Sequence, residues 1–360
     1  MSGSVLIMAG GTGGHVFPAL AVANELRRRA IDVTWLGTRR GLEARVVPAA
    51  DIVIDWIDVS GVRGKGVSAK LMSGLRLVRA VVQALRIVAR RRPAVVLGMG
   101  GFASGPGGLA AWLLRRPLVI HEQNSVAGLT NRVLSRFSKR VLCAFPGSFK
   151  SGRDTTVVGN PVRAAIAQCA DEPIRDINTP PRLLVLGGSQ GAQALNRLVP
   201  GALATLAPAQ RPEVWHQTGV KTVDAARAAY QNASLDVRLD TFIDDMADAY
   251  RWADLVLCRA GALTVSELAM VGVASILVPF PYAVDDHQTG NAAFLKEAGA
   301  AFIVAERELN ETRLAELLGD TLARPEVLQD MARRARALAK PTAVQDVTDV
   351  LVGLANGARS

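Results

Sequence analysis

Apolar residues along this chain follow two alternating patterns, which predict strands and helices in turn. Unbroken apolar runs such as residues 5–8 are typical of strands buried on both faces of a sheet, whereas residues 19–26 repeat their apolar positions with the 3.6-residue period of a helix. Further strands are predicted at residues 32–38, 94–99, 117–122, 140–145, 183–186, 213–218, 255–258, 274–279 and 301–305. Because helical patterns separate most of these strands, the chain is predicted to have an α/β fold with parallel sheets.

The opening strand, loop and helix recur once along the chain. "GGTGGH" at residues 10–15 corresponds to "GGSQGA" at residues 187–192, and each lies between an apolar run and a helical pattern. Two such openings predict two α/β domains, residues 1–161 and residues 162–340, and the last helix, within residues 341–360, is expected to pack back on the first domain. Ligands of such sheets bind beyond the carboxyl ends of the strands, so two facing sheets would form a cleft between the domains.

Composition narrows the class of protein. The three cysteines, Cys143, Cys169 and Cys258, are far apart and lack metal-ligand spacing, so we expect a reducing cytoplasm rather than a disulfide framework or a zinc site. No apolar run reaches the roughly eighteen residues that span a bilayer, and the N-terminus lacks the pattern of a signal peptide. The chain is therefore expected to be neither exported nor threaded through a membrane.

Charge is distributed unevenly between the two predicted domains. Residues 1–161 contain 23 Lys and Arg against 8 Asp and Glu, a net charge of +15, whereas the rest of the chain has a net charge of −5. A basic domain suggests an anionic membrane surface or nucleic acid as its partner. No helix-turn-helix, zinc or RNP-type motif is present in the sequence, so nucleic acid is not expected.

Two glycine-rich loops of the first domain are candidate phosphate sites. Thr12, Gly13 and Gly14 of the first loop lie where a helix begins, and unpaired N–H groups there attract anions. The loop matches neither G-x-G-x-x-G nor the P-loop pattern, and tight strand-to-helix packing is the alternative interpretation. The second loop, "GMGGFASGPGG", contributes Gly100, Gly101 and Ser104, unless it is a linker. Together with Gly13 and Gly14, these residues predict a site for a diphosphate rather than for a single phosphate.

Histidine occurs in the first glycine-rich loop but not at the equivalent position of its repeat, so His15 is a candidate for chemistry or for a structural cap. A second polar group is "HEQN", residues 121–124, directly after an apolar strand. Such a run is costly in a core, and at the carboxyl end of a strand it predicts a site that includes Glu122 and Asn124. Burial of His121 or Glu122 as a structural group is the alternative.

Two further polar segments lie in the second domain. In "GALTVSE", Glu267 near a helix N-terminus is placed to bind the hydroxyls of a ribose, or else it pairs with Thr264 in a capping box. The loop "DDHQTGNA" contains Gln288 and other donors suited to sugar hydroxyls, with a solvated loop as the alternative. It has no D-x-D pattern, so no metal is expected, and helix dipoles with Arg163 would neutralise a leaving diphosphate.

A basic amphipathic helix is predicted over residues 68–92. Its predicted core face consists of Leu71, Leu75, Val78, Val82, Leu85 and Ala89. A basic stripe contains Arg76, Arg79, Arg86 and Arg90, while Leu77, Val81 and Val88 lie outside both stripes. Basic residues beside surplus apolar ones, with Trp112 in the nearby "WLLRR", predict binding to an anionic membrane, and a solvated basic face is the alternative.

Taken together, the motifs resemble the MurG family of N-acetylglucosaminyltransferases from end to end. The matching motifs are "GGTGGHVFPALA", "GVRGKG", "GMGGFASGPGG", "HEQN", "VGNPVR", "GGSQGA", "HQTG", "GALTVSE" and "DDHQTGNA". The resemblance implies a GT-B fold of two Rossmann-like domains, the first for a lipid acceptor and the second for UDP-GlcNAc. It also implies transfer of GlcNAc to the 4-hydroxyl of MurNAc in lipid I, giving lipid II for peptidoglycan synthesis, at the cytoplasmic face of the inner membrane.

Individual site residues follow from the same resemblance. The residues implied to contact the donor are Thr12, Gly13, Gly14, Asn124, Arg163, Ser189, Ile243, Ala262, Leu263, Thr264, Val265, Ser266, Glu267 and Gln288. Ile243 would face the uracil through its backbone, and His15 would be the catalytic base, with Glu122 as the second candidate. No cofactor is expected, other cell-wall synthesis proteins are candidate partners, and a related enzyme acting on a lipid such as diacylglycerol is the alternative function.

Overall fold

The computed structural model describes residues 3–59, 67–149, 154–187 and 192–357, with the backbone alone for residues 67–73 and 75. It divides into two compact units, Met1–Arg163 with Thr342–Ser360, and Ala164–Pro341. Each unit has one sheet, and every pair of neighbouring strands is parallel. The prediction of two Rossmann-like α/β units is therefore confirmed.

Seven strands form the sheet of the first unit, in the order β3-β2-β1-β4-β5-β6-β7. Its elements in chain order are β1 Val5–Met8, α1 Gly13–Arg28, β2 Val33–Gly37, α2 Glu43–Ala49, β3 Val53–Trp56, α3 Val67–Arg91, β4 Val95–Gly98, α4 Ser104–Leu113, β5 Leu118–Glu122, α5 Leu129–Leu134, β6 Arg140–Cys143 and β7 Thr156–Val157. Successive residues of β1 face opposite layers. Val5 and Ile7 belong to a core shared with α1, and Leu6 and Met8 to one shared with α3 and α4.

Six strands form the second sheet, in the order β10-β9-β8-β11-β12-β13. The elements are α6 Ala164–Gln168, β8 Arg182–Leu186, α7 Gln193–Thr205, β9 Glu213–Gln217, α8 Val223–Asn232, β10 Arg238–Asp240, α9 Met246–Trp252, β11 Leu255–Cys258, α10 Ala262–Val271, β12 Ala274–Leu277, α11 His287–Glu297, β13 Ala301–Ile303, α12 Glu311–Leu322 and α13 Pro325–Ala337. Its core joins Leu183 and Val185 of β8 to residues of α7 and α12.

The last helix, α14 Ala343–Gly357, belongs to the first unit although the whole second unit precedes it in the chain. Val347, Leu351 and Ala355 lie in the same core cluster as β1 and α1. An ion pair between Arg29 and Asp349 also joins the end of α1 to this helix.

The sequence analysis did not predict three of the described strands, β3, β7 and β10. All three lie at the edge of a sheet, where half-exposed strands need no unbroken apolar run.

The predicted core face of α3 is wrong at Val78, Val82 and Ala89, whereas Leu85 packs against a core cluster as predicted. Val78 is 63% exposed and Val82 is 39% exposed, and the buried face instead contains Ala80, Ala84 and Val88. Alanines bring α3 close to the small residues of α4, such as Ala110, so the larger apolar side chains remain outside. Leu71 and Leu75 have side chains outside the described residues. Among the helices that the structure describes, none is both long and apolar enough to cross a membrane.

Candidate active site

In the first unit the two glycine-rich loops follow the neighbouring strands β1 and β4 and touch one another. A Cβ on Gly101, whose φ is +83°, would lie 2.2 Å from the carbonyl oxygen of Gly10. A Cβ on Gly100 would lie 3.0 Å from the imidazole of His15. Glycine is therefore required at the contact, which holds His15 between the two loops.

The N-terminus of α1 provides N–H groups for an anion. Thr12 precedes the helix in an extended conformation and is exposed, and its side chain does not cap the helix. A Cβ on Gly14 would meet only the Thr12 hydroxyl, at 3.8 Å, so the backbone there is open to a ligand. The first turn therefore has the character of a phosphate site.

Glu43 anchors the same loop from inside the protein. It is fully buried, and its carboxylate accepts hydrogen bonds from the N–H of Gly11 at 2.9 Å and from the N–H and hydroxyl of Thr38 at 3.0 and 2.7 Å. The sequence analysis did not find this residue. Its position at the first residue of a short helix carries no local signal of a partner 32 residues away.

Ser104 is fully buried rather than presented to a ligand. Its hydroxyl accepts a hydrogen bond from the N–H of Gly100 at 3.1 Å and lies within 2.9 Å of the carbonyl oxygens of Met8 and Gly100. These bonds join the ends of the two strands below the loops. The side chain of Ser104 thus shapes the second loop from inside the protein.

His15 is half-buried and has a defined side-chain partner. Its Nδ1 lies 2.8 Å from Oε1 of Gln123. The amide nitrogen of Gln123 lies 3.0 Å from Nδ1 of His121, whose Nε2 lies 2.9 Å from the carbonyl oxygen of Gly159. Burial lowers the pKa of His121 to about 4, so its ring is neutral at physiological pH.

Glu122 is 1% exposed and is held by four donors. Its carboxylate accepts bonds from the N–H and side chain of Asn124 at 3.0 and 3.2 Å, from the N–H of Gly128 at 3.1 Å and from the side chain of Asn131 at 2.8 Å. These bonds support the structural alternative, in which Glu122 shapes the loop that begins at Gln123.

In the second unit, α10 begins at Ala262, after Gly261 in an extended conformation. Thr264 therefore lies inside the helix, and the capping-box interpretation is wrong. Glu267 is 4% exposed, and its Oε2 accepts a hydrogen bond from the buried hydroxyl of Tyr250 at 3.0 Å. This hydrogen bond fixes the orientation of the Glu267 carboxylate within the second unit.

The other residues of α10 that were predicted to contact the donor substrate differ in exposure. Val265 is fully buried and Ala262 nearly so, which leaves their backbones as the groups for a ligand. Leu263, Thr264 and Ser266 are half-buried, and the Ser266 hydroxyl donates to the carbonyl of Ala262 at 2.9 Å.

The polar segment after β12 is partly helical rather than a loop, because α11 begins at His287. Oε1 of Gln288 accepts the N–H of Phe280 at 2.9 Å, which makes the amide nitrogen the group that can donate to a sugar hydroxyl. Asn291 is fully buried and donates to the carbonyl of Ala260 at 3.1 Å, so it joins α11 to the residues before α10.

Two of the three remaining site predictions, Ile243 and Arg163, lie on connecting segments. The side chain of Ile243 is buried beside the half-exposed Phe242. The guanidinium of Arg163 lies 5.9 Å from the ring centroid of Phe17 in α1. Ser189 lies outside the described residues, as does the rest of residues 188–191. No cluster of three or more His, Cys, Asp or Glu able to hold a metal occurs in the described part of the chain.

Comparison with known proteins shows which protein family the chain belongs to. The model of the glycosyltransferase family 28 N-terminal domain matches residues 5–143, and that of the family 28 C-terminal domain matches residues 182–347. The chain belongs to glycosyltransferase family 28.

Relatives over nearly the whole chain are named UDP-N-acetylglucosamine--N-acetylmuramyl-(pentapeptide) pyrophosphoryl-undecaprenol N-acetylglucosamine transferase. The relative from Alkalilimnicola ehrlichii is 56% identical over 352 residues, which cover 97% of this chain and 98% of the relative. The relative from Thiobacillus denitrificans is 54% identical over 361 residues, covering 98% of each. A solved structure of Acinetobacter baumannii MurG is 43% identical, with a TM-score of 0.82, and covers 97% of this chain and 99% of that one. The resemblance to the MurG family and the GT-B fold class are confirmed.

Proposed function

We propose that this chain transfers GlcNAc from UDP-GlcNAc to the 4-hydroxyl of MurNAc in lipid I, giving lipid II, with inversion at the anomeric carbon. The observation that carries the proposal is identity of 52–56% over at least 95% of this chain to relatives named for that transfer. The same relatives argue against diacylglycerol as the acceptor.

The donor residues of the proposal lie mainly in the second unit. Glu267, oriented by Tyr250, binds the ribose hydroxyls, and the amide nitrogen of Gln288 donates to the sugar. Ile243 offers its backbone to the uracil, because its side chain is turned into the core. The N-terminus of α10 faces the diphosphate with its dipole.

The glycine-rich loops of the first unit bind phosphate groups in this proposal. The N–H groups at the start of α1 and the backbone of Gly100 and Gly101 are the donors. Their placement beside His15 brings the phosphate site and the candidate base onto the same two loops.

His15 is the proposed catalytic base. Its Nδ1 is occupied by Gln123, so Nε2 is the atom that takes the proton from the acceptor hydroxyl. The hydroxyl oxygen attacks the anomeric carbon as the bond to UDP breaks, and the leaving electron pair remains on UDP. Arg163 and the helix N-termini stabilise the charge on the departing diphosphate.

The test is transfer of labelled GlcNAc to a short-chain lipid I analogue, with diacylglycerol as the competing acceptor. His15→Ala should lose roughly 10²- to 10⁴-fold in turnover and keep its affinity for UDP-GlcNAc, because a positioned base contributes about that factor. Glu267→Ala should lose donor binding. Turnover by His15→Ala within a few-fold of wild type would place the base elsewhere, with Glu122 the next residue to test.

We also propose that the first unit binds the membrane as a peripheral protein. Exposed apolar side chains on α3 and α4 include Leu77, at 46%, and Trp112, also at 46%. Arg76, Arg79 and Arg86 are exposed on α3, whereas Val81 is only partly exposed. Trp112 contacts Phe137 with ring centroids 4.9 Å apart, so the apolar surface extends past α5 to residues that the sequence analysis missed.

A further inference from the structure

A chain of three hydrogen bonds leads from a backbone carbonyl to the proposed base. It runs from the carbonyl of Gly159 to Nε2 of His121 at 2.9 Å, from Nδ1 of His121 to the amide nitrogen of Gln123 at 3.0 Å, and from Oε1 of Gln123 to Nδ1 of His15 at 2.8 Å. Gln123 and His121 are 1% and 0% exposed, so the two bonds of the His121 ring are shielded from water, while His15 at the end of the chain is half-buried.

The carbonyl at one end determines which atom donates in each bond. A carbonyl oxygen only accepts, so the hydrogen of the His121 ring is on Nε2. Because His121 is buried and neutral, its Nδ1 is then an acceptor, and Gln123 must present its NH2 group there. The backbone carbonyl of His121, 3.2 Å from the same nitrogen, requires the same orientation of the amide. Oε1 of Gln123 therefore faces His15 and accepts a hydrogen from Nδ1.

We propose that Gln123 is a positioning residue that holds His15 in the Nδ1–H tautomer and so keeps the lone pair of Nε2 available for the acceptor proton. In a neutral imidazole, the hydrogen bond made by one ring nitrogen decides the state of the other. A Cβ on Gly100 would lie 3.0 Å from Cε1 and Nδ1 of the ring, so glycine at this position leaves room for the imidazole beside Gln123. His121 acts one step further back, because it orients the amide of Gln123.

This inference rests on the proposed role of His15 as the base, but the two fail in different experiments. Turnover by His15→Ala tests the role of His15. The tautomer of His15 is read directly from the ¹⁵N chemical shifts of its ring in the full-length protein, assigned by comparison with His15→Ala. Wild-type His15 should show a protonated Nδ1 and an unprotonated Nε2 at neutral pH, and a hydrogen on Nε2 alone would overturn the inference whatever the turnover.

Gln123→Met removes the hydrogen bonds of the Gln123 side chain to His15 and His121 at similar volume. The ring of His15 should then shift toward the Nε2–H tautomer, and kcat should fall about 10- to 100-fold, the range typical when an orienting partner is lost. The affinity for UDP-GlcNAc should stay within two-fold or so of wild type, since the bonds lost are not to the donor. Gln123→Glu keeps an acceptor for Nδ1–H of His15 but loses the amide donor to His121, so it should retain the tautomer and recover only part of the lost kcat.

Asn131→Ala is the matched control. Asn131 donates to the His121 carbonyl at 3.3 Å and to Glu122 at 2.8 Å, so its loss loosens the same segment without touching the bond between Gln123 and His15. The ¹⁵N shifts of His15 should be unchanged in this variant. The inference is overturned if Asn131→Ala shifts them as far as Gln123→Met does, or if Gln123→Met leaves both the tautomer and kcat unchanged.

Discussion

The imidazole of His216 lies in the core of the second unit with Nδ1 2.9 Å from the hydroxyl of Tyr230. Burial lowers the pKa of His216 to about 3 and raises that of Tyr230. Together with His121, whose pKa is about 4, the chain therefore carries two histidines that are neutral in the folded protein at pH values where the unfolded chain protonates them.

Stability should depend on this difference between pH 6.5 and 4. Above pH 6.5 both states hold these rings neutral; below it the unfolded chain binds protons that the folded protein does not, so the free energy of unfolding falls as the pH falls. Each histidine contributes a slope of about 1.4 kcal/mol per pH unit in that window.

Denaturant unfolding of wild type and His216→Gln, from pH 7 to 5, measures the contribution. The variant should be less stable at pH 7, because wild type has the bond to Tyr230 intact there. Below pH 6.5 the difference in free energy of unfolding between wild type and variant should shrink by about 1.4 kcal/mol per pH unit. Parallel curves for the two proteins would mean that His216 takes up its proton equally in the folded and unfolded states, so that burial does not lower its pKa.

At the scale of elements, the contact between the two glycine-rich loops depends on backbone shape. Gly101 adopts a φ of +83° and lies against the carbonyl of Gly10, whereas Gly105, one turn further into α4, has only a methyl of Thr130 at 3.7 Å from its Cβ position. The two glycines are four residues apart, but only the position of Gly101 requires glycine, whereas the position of Gly105 has room for a side chain.

Substituting each by alanine separates these requirements. Gly101→Ala should lower the free energy of unfolding by about 2 kcal/mol or more, since both the left-handed φ and the overlap with Gly10 are unfavourable, and transfer activity should fall with it. Gly105→Ala should be neutral or stabilise the protein by roughly 0.5–1 kcal/mol, because alanine is favoured inside a helix. Thermal unfolding of the pair is the measurement, and equal losses would contradict the loop contact.

The whole molecule is electrically divided, with a net charge of +15 before residue 162 and −5 after it. Part of the basic stripe on α3 is neutralised locally, since Arg90 and Arg91 pair with Asp55, and Arg79 lies 3.4 Å from Asp58. Arg76 and Arg86 are exposed on the same helix beside Leu77 and Val82, and they are the basic residues best placed for lipid headgroups.

Replacing Arg76 and Arg86 together by Gln should weaken binding to vesicles that contain anionic lipid by about 2 kcal/mol, or roughly 30-fold, with little effect on neutral vesicles. The control replaces Arg307 and Arg313, two exposed arginines of the second unit, and changes the net charge equally. Vesicle sedimentation at low and high salt is the measurement. Equal weakening by both pairs would show that net charge alone, rather than the surface of α3, attracts the protein.

The pattern of residue types over short stretches of the sequence was sufficient to predict the alternation of strands and helices, the two sheets and the glycine-rich turns. Such features depend on residues close in sequence, because burial on both faces of a parallel strand demands an unbroken apolar run and a sharp turn into a helix demands glycine. The candidate residues His15, Glu267 and Gln288 were found for the same reason: each follows a strand at the carboxyl edge of a parallel sheet.

Partnerships between distant residues were decided only by tertiary packing. Gln123 meets His15 across 108 residues and Glu43 meets Gly11 across 32, and neither pairing leaves a periodic or local signal. The neighbouring helix α4 likewise decided which face of α3 is buried. Alanines of α3 fit against α4 and are buried, whereas larger apolar side chains on the same helix remain exposed. A hydrogen bond or a packed contact depends on the distance between atoms in space, which short-range patterns of hydrophobicity do not encode.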